Sequence, residues 1–418
     1  MNAIPECLKK GYRKTSLLKR CTREGSEILV DKKMNSEELD KVKDSVKNYY
    51  GKILKTSDDI QSNASKIDEF SGMTSAVKSA LKLIHEEVSN KFYGCGLAVP
   101  EALEGMHILD LGSGSGQDCF VLSKLVGENG HVTGVDMTKE QVDIANKYVD
   151  YHAKQFGYSK PNTEFKLGEM ERLSDVGIQD NSVDIIISNC VVNLTADKKV
   201  VLKEAYRVLK DGGEIFFSDV YTDTKLCEEA KNDEVLWGEG VAGALHWKEL
   251  VELCKEVGFC GPHLVTARPF VIKPELRARR PLGDAKFVAA TYRLLKIPQV
   301  NKTDGSRVTY KGSMEDNPDE FKLNVHNVFT KTPKIVSVGV ASLLRASRFS
   351  KHFEFHPLEP GTVAPADDVV SEADPFAYCE SNDVAPAACC AKPAKQESFC
   401  AKPVEQENGF CPKRAKTD

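Results

Sequence analysis

The sequence predicts an α/β fold with a Rossmann-like, mostly parallel sheet, followed by a smaller C-terminal α+β unit and a disordered tail that carries cysteines. Three features predict it. Short apolar runs alternate with helical segments between residues 107 and 219. A glycine triplet, Gly112, Gly114 and Gly116, separates the first such run from the helix after it. Beyond Pro357 the composition shifts to Pro, Ala, Glu, Lys and Cys without hydrophobic periodicity. Strands separated by helices of this length pair in parallel through right-handed crossovers. A Pro- and Lys-rich stretch without apolar period cannot bury enough surface to fold.

The elements follow in order. Leu39, Val42, Val46, Tyr49, Tyr50 and Ile53 recur at helical spacing, so 37–54 reads as an amphipathic helix and the polar stretch 56–71 as a loop. Residues 74–90 return to helix with Val77, Leu81, Ile84 and Val88 on one face, and Tyr93-Gly94-Cys95-Gly96 then breaks the pattern as a tight turn. Strands are predicted at 107–111, 131–135, 163–167, 183–188 and 214–219, and helices at 119–126, 139–156 and 198–209. The run Asp184-Ile185-Ile186-Ile187-Ser188 suits a sheet covered on both faces. A helix at 247–257 ended by Gly258 and a strand at 264–272 come next, and 286–295 reads as a strand of the second, smaller domain. The expected division is a flexible basic N-terminus at 1–35, a cofactor-binding domain at 36–222, a smaller acceptor-binding domain at 223–357 and a disordered tail at 358–418.

A chain of 418 residues is expected to hold more than one folding unit. Its net charge of -5 excludes a general nucleic-acid binder, which needs a cationic face, and leaves a small molecule as the expected partner. No apolar run reaches the roughly 20 residues that cross a bilayer, and 1–35 lacks the apolar core of a secretory signal. The basic run in that stretch faintly resembles a mitochondrial presequence but reads more simply as a solvated N-terminus. A cytoplasmic protein, monomeric by default, is expected, with its thirteen cysteines kept as thiols.

The glycine triplet lets the backbone approach a ligand at a helix N-terminus. About twenty residues on, the next strand ends at Val135-Asp136, where a carboxylate can take the two ribose hydroxyls of an adenosine moiety. Dinucleotide folds share these features. Asp110, just ahead of the glycines, separates the two: an acid there disfavours a pyrophosphate and suits a cationic aminoacyl group. The predicted ligand is therefore S-adenosylmethionine. Expected contacts are Asp110, Gly112, Gly114 and Gly116 at the loop, Asp136 with Met137 at the ribose, and Asn189 near the methyl group; the glycine loop also resembles the first motif of methyltransferases, and that resemblance implies Glu169 and Met170 at the adenine side. Tyr93 is a candidate for lying over the sulfonium.

Cys95 in the upstream turn and Cys190 at the exit of the fourth strand both fall at the sheet edge where ligands bind. Two thiols there suggest a soft, thiophilic acceptor. Cys119, Cys227, Cys254 and Cys260 read instead as small buried hydrophobes. His152, His246 and His263 lack metal-ligand spacing, and the cysteines of the tail lack a zinc pattern.

The stretches Asn48-Tyr49-Tyr50-Gly51, 91–97, 108–126, 131–139, 188–194, 204–220, 236–239 and 248–259, with the pair Cys389-Cys390, resemble an animal arsenite methyltransferase. The resemblance implies a class I methyltransferase that moves methyl groups from S-adenosylmethionine to arsenic(III), with thioredoxin or glutathione as reductant. It implies that Cys95 and Cys190 are catalytic and hold the arsenic, with Glu239 of the Trp-Gly-Glu segment at the acceptor pocket. The family pattern has four cysteines, and here Ser65 and Gly240 stand where two of them are expected. Serine is too hard and too weakly acidic to replace a thiolate on arsenic. A glutathione sulfur, a hydroxide or a tail thiol such as Cys389 or Cys390 is left to complete the metalloid's coordination, and methylation is expected to be slow or incomplete. Two other readings stay open at this point: a methyltransferase for another thiophilic or organic acceptor, admitted by the small wall Gly240-Val241-Ala242, and a metalloid-binding protein without turnover.

Overall fold

The computed structural model describes residues 36–54, 73–94, 96–297, 305–367 and 373–384. Cys95, Ser65, the loop read at 56–71, the basic N-terminus and Cys389, Cys390, Cys400 and Cys411 lie outside the described residues.

Eight strands build the central sheet: β1 (His107–Leu111), β2 (His131–Asp136), β3 (Thr163–Leu167), β4 (Val183–Asn189), β5 (Leu209–Thr222), β6 (Leu245–His246), β7 (Cys260–Pro269) and β8 (Phe287–Leu295). Their order is β3-β2-β1-β4-β5-β8-β7, with β6 beside the end of β5. The first five run parallel, whereas β8 is antiparallel to both β5 and β7. Successive residues of a strand face opposite sides, so β4 feeds two cores. Ile185 and Ile187 join Ile108, Phe120 and Phe216 on one face, and Ile186 joins Leu109, Leu202 and Phe217 on the other. Strand order reverses at β1, which lies between β2 and β4, and this opens a crevice at the carboxyl ends of β1 and β4.

The strand read at 286–295 does not belong to a second domain. As β8 it pairs with β5 from Glu214↔Leu295 to Thr222↔Phe287, inside the central sheet. Eight of its nine residues are buried, so it needs cover on both faces, and the central sheet provides that. The expected division at 222/223 therefore separates β5 from its own sheet neighbours.

The remaining strands are β9 (Ser306–Tyr310), β10 (Glu320–Lys322), β11 (Val328–Thr330), β12 (Lys334–Val336) and β13 (Phe353–Pro357). They form a three-stranded sheet, β12-β9-β13, and the hairpin β10-β11. With the helix Val338–Ala346 they enclose an aromatic-rich core of Tyr310, Phe321, Phe329, Phe349 and Phe353.

Three local readings change. The segment 74–90 is two helices, Ser75–Leu81 and Glu86–Ser89. His85 caps the second, accepting from Glu87 N–H at 3.1 Å. The long helix at 139–156 divides at Tyr148 into Lys139–Lys147 and Val149–Phe156. The tail read as disordered contains a helix, Pro375–Ser381, begun by Asp374, whose carboxylate accepts from two backbone amides. Tyr292 Oη donates to Ala373 O at 2.7 Å, and Cys379 is buried against the central core. Among the described residues no helix is long and apolar enough to cross a membrane.

Candidate functional site

The crevice at the carboxyl ends of β1 and β4 is a cavity of about 980 Å³, open mouth included. Its floor is the turn after β1. Gly112 there has φ +75°, and a Cβ would overlap Val191, the residue after Cys190. The glycine thus brings the loop against the exit of β4. Across the crevice Asp136 ends β2. Its Oδ2 accepts from Gly114 N–H at 2.9 Å and its Oδ1 from Thr138 N–H at 2.7 Å. The Thr138 side chain bonds the carboxylate as well, and the carboxylate's remaining lone-pair capacity can accept a hydroxyl.

Asp110, Gly112, Gly114, Asp136, Met137, Glu169, Met170, Asn189, Cys190 and Tyr93 all line this one cavity. Gly116 does not. It caps the helix Gln117–Val126 in the left-handed conformation, and a Cβ there would meet Phe165. Glu239 is not in the lining either: it is buried beside the cavity and accepts from Tyr49 Oη at 2.7 Å. Val241 and Ala242 are core residues, and of that expected wall only Gly240 has open space where a Cβ would point.

Several lining residues had no role in the sequence reading. Lys43, Val46 and Tyr50 reach the cavity from the N-terminal helices, and Ser113, Gln117, Asp118 and Gln141 from the sheet side. Lys43 Nζ bridges to Glu169 at 2.6 Å and holds its carboxyl below the usual range. Tyr50 Oη donates to Gly238 O at 2.8 Å, and its ring lies 5.6 Å from that of Tyr93. The only sequence signals were the placement of Gln117 and Asp118 in the first turn after the glycines and the Asn-Tyr-Tyr-Gly segment.

Burial raises the carboxyls of Asp110 and Asp136, and pushes that of Asp118 up to about 7. A site with three such groups disfavours a pyrophosphate and favours a cation, which would stabilise their ionised forms. Ser113 Oγ, Gln117 Nε2, Asp118 Oδ1 and Gln141 Oε1 are buried in the lining without a hydrogen-bond partner among the described residues. Left unpaired they cost free energy, so they mark places for a polar ligand. The residues present therefore fit a cationic, hydroxyl-bearing nucleoside such as S-adenosylmethionine.

Cys190 has φ +59°, and its N–H donates to Ser218 O at 2.7 Å. A non-glycine residue in this region stores roughly 1–3 kcal/mol and persists only where its surroundings fix it. Cys190 is also disulfide-bonded, whereas Cys119, Cys227, Cys254, Cys260 and Cys379 are free thiols. Of these, Cys119 and Cys254 are fully buried. Cys119 Sγ donates to Asp110 Oδ2 at 3.1 Å. Gly94 and Gly96 dock on Asn189: a Cβ on Gly94 would lie 2.5 Å from Asn189 Nδ2, and that amide donates to Gly96 O at 2.5 Å and to Asp118 Oδ2 at 2.9 Å.

A Rossmann-like sheet with this glycine turn, ribose-side acid and cation-favouring cavity defines an S-adenosylmethionine-dependent methyltransferase of class I. Residues 102–258 match a family model described as a methyltransferase domain, and residues 303–400 one described as the arsenite methyltransferase C-terminal domain. The arsenite methyltransferase of Rattus norvegicus is 46% identical over 345 residues, covering 82% of this chain and 93% of the relative. That of Mus musculus is 43% identical over 371 residues, covering 85% and 98%. The crystal structure of an arsenic(III) S-adenosylmethionine methyltransferase from Chlamydomonas reinhardtii superposes with a TM-score of 0.65 at 40% identity, covering 71% of this chain and all of that one. The chain belongs to the arsenite methyltransferase family.

Proposed function

We propose that this protein transfers methyl groups from S-adenosylmethionine to arsenic(III) held by Cys95 and Cys190. The observation that carries the reading is Cys190 itself, fixed in a strained conformation in the wall of the cavity that also holds the glycine turn and Asp136. Thiolates are the soft ligands that trivalent arsenic prefers. The docking of Gly94 and Gly96 on Asn189, the neighbour of Cys190, supports a common site for the two cysteines.

Asp136, Met137, Glu169 and Met170 would hold the adenosine, and Asp110, Asp118 and Gln117 the aminoacyl end. Bound there, S-adenosylmethionine supplies an electrophilic methyl, and arsenic with its hydroxyls exchanged for thiolates supplies the electron pair. No general base is required, so the work of the chain is positioning. Tyr50 and Tyr93 wall the site, and Lys43, paired with Glu169, ties the N-terminal helix across it.

Transfer of the methyl group commits the arsenic lone pair to the new bond and raises its oxidation state from +3 to +5, so a further round requires two electrons from a reductant. Two thiolates can give them by joining as a disulfide, which a second thiol couple must then open. The disulfide at Cys190 supports a requirement for a reductant such as glutathione or thioredoxin, and hence work in a reducing compartment such as the cytoplasm. With Ser65 and Gly240 in place of cysteines, capture rests on two protein thiolates, and the later methylations are slow or incomplete.

The test is incubation of reduced protein with arsenite, labelled S-adenosylmethionine and glutathione, with chromatographic separation of the products. Monomethylated arsenic should dominate, and Cys190→Ser should fall to background. No methylated arsenic above that control overturns the proposal.

A further inference from the structure

The C-terminal unit touches the rest of the chain at one segment that bears on the site. Residues 96–103 leave the cysteine turn and run to that unit. At the near end Gly96 O accepts from Asn189. In the middle Ala98 is fully buried. At the far end Ala102, with φ +56°, packs on the aromatic core of the C-terminal sheet.

Glu101 lies in a charge network at this junction. Arg348, after the helix Val338–Ala346, donates to Glu101 O from Nε at 3.1 Å and from Nη2 at 2.8 Å, and from Nη2 to Glu214 Oε1 at 2.5 Å. Arg293 of β8 pairs with the Glu101 carboxylate and with Glu214 Oε2, the latter at 3.1 Å. Glu214 and Arg293 are fully buried, and the Arg293 guanidinium also lies over Phe321 and Phe349 of the C-terminal core. Two acids and two bases balance, and every member spans the junction or touches the 96–103 segment. Arg348 fixes a backbone carbonyl through two donors, a geometry that sets direction as well as distance.

We propose that the C-terminal domain is a positioning element for the acceptor site: Arg348 grips Glu101, and the strap 96–103 carries that hold to Gly96, whose carbonyl is held by Asn189, the neighbour of Cys190. This rests on the two-thiol reading above. Arg348 touches neither donor nor acceptor, and acts through the strap. Misplacing a reacting group by about 1 Å costs up to on the order of a hundredfold, so a slackened strap should weaken capture at the dithiol while leaving the donor site intact.

The experiment uses the full, reduced chain and two ligands: phenylarsine oxide, a probe that takes two thiolates, and S-adenosylmethionine. Arg348→Ala should weaken phenylarsine oxide binding by about tenfold or more, and Arg348→Lys, which keeps the charge and stays folded if the alanine variant does not, by about threefold. The Kd for S-adenosylmethionine should stay within about twofold, the two being fractions of a decade in affinity. Phe329→Ala, in the same aromatic core but off the strap, serves as the stability control and should leave probe binding unchanged. Equal weakening in the Arg348 variants and in Phe329→Ala, or none in Arg348→Lys and Arg348→Ala while Tm falls, overturns the proposal. A wild-type protein that takes no phenylarsine oxide overturns both proposals. One that binds the probe without methylating arsenite overturns the activity alone.

Discussion

Replacing Gly112 by alanine separates the two jobs of the glycine turn. Its φ of +75° is open to glycine, and an L-residue there pays about 1–2 kcal/mol. The added Cβ would also lie 2.7 Å from Val191 Cγ2 and 2.8 Å from Val191 Cβ, and closer still to Cγ1. Relieving that overlap by moving packed atoms costs about 1–3 kcal/mol more, so Gly112→Ala should lose roughly 2–5 kcal/mol. Gly114 is the internal comparison. Its φ is +52° but no heavy atom lies within 4 Å of a Cβ, which leaves only the backbone cost of about 1–2 kcal/mol. By thermal unfolding, at about 2–4 °C per kcal/mol for a domain of this size, Gly112→Ala should lower Tm by roughly 5–15 °C and Gly114→Ala by less than about half as much. Calorimetric titration with S-adenosylhomocysteine should show the complementary pattern, because both glycines line the cavity but only the Gly114 methyl would point into open space, where it competes with ligand, while that of Gly112 points into Val191. The Gly114→Ala protein should stay folded and lose about tenfold in affinity, equivalent to about 1.4 kcal/mol. Equal Tm losses, or a Gly114→Ala protein less stable than Gly112→Ala, would refute this account of the turn.

Two further outcomes follow from the same geometry. Gly240 is buried, has φ +71°, faces open space, and sits where Asn193 Nδ2 reaches its carbonyl, three residues beyond Cys190. Gly240→Cys should therefore fold at a cost of about 1–2 kcal/mol and raise the share of dimethylated product; an unchanged product ratio argues against a missing thiolate. His152 is buried against Phe120, accepts from His85 N–H at 3.2 Å on Nε2, and lies 2.8 Å from Tyr148 O through Nδ1. Burial lowers its pKa from 6.5 to about 4, and the His85 donor leaves no room for a proton on Nε2. The unfolded chain binds that proton first, so the stability from His152 is full above about 6.5 and is lost as pH falls through about 4. Urea midpoints should drop between about pH 7 and pH 5, and His152→Phe should shrink the drop; an equal drop in both proteins removes His152 as its cause.

Much of the site was legible because its signals are local. A strand, three spaced glycines and an acid at the next strand's end fix a turn and a ribose-side carboxylate without help from distant residues. The exit of β4 followed from an apolar run ending at Ser-Asn-Cys. What escaped depends on long-range pairing. Nothing in the apolar run Phe287–Leu295 says which sheet it joins, and only its burial on both faces sends it to β5. Gly116 looked like its neighbours but faces Phe165, and Glu239 is tied to Tyr49, 190 residues away in sequence. Lys43, Tyr50 and Gln141 reach the cavity only through tertiary packing. The backbone conformation of Cys190 has no sequence signature, because side-chain identity does not specify a strained φ.

The central claim is that two protein sulfurs, Cys190 in the wall of the donor cavity and Cys95, hold arsenic. X-ray absorption at the arsenic edge, on reduced protein loaded with arsenite in the absence of small thiols, counts those sulfurs directly. The account predicts a mixed shell in which sulfur from Cys95 and Cys190 is present and the sulfur count falls in Cys190→Ser. An oxygen-only shell, or a sulfur count that Cys190→Ser leaves unchanged, would contradict it.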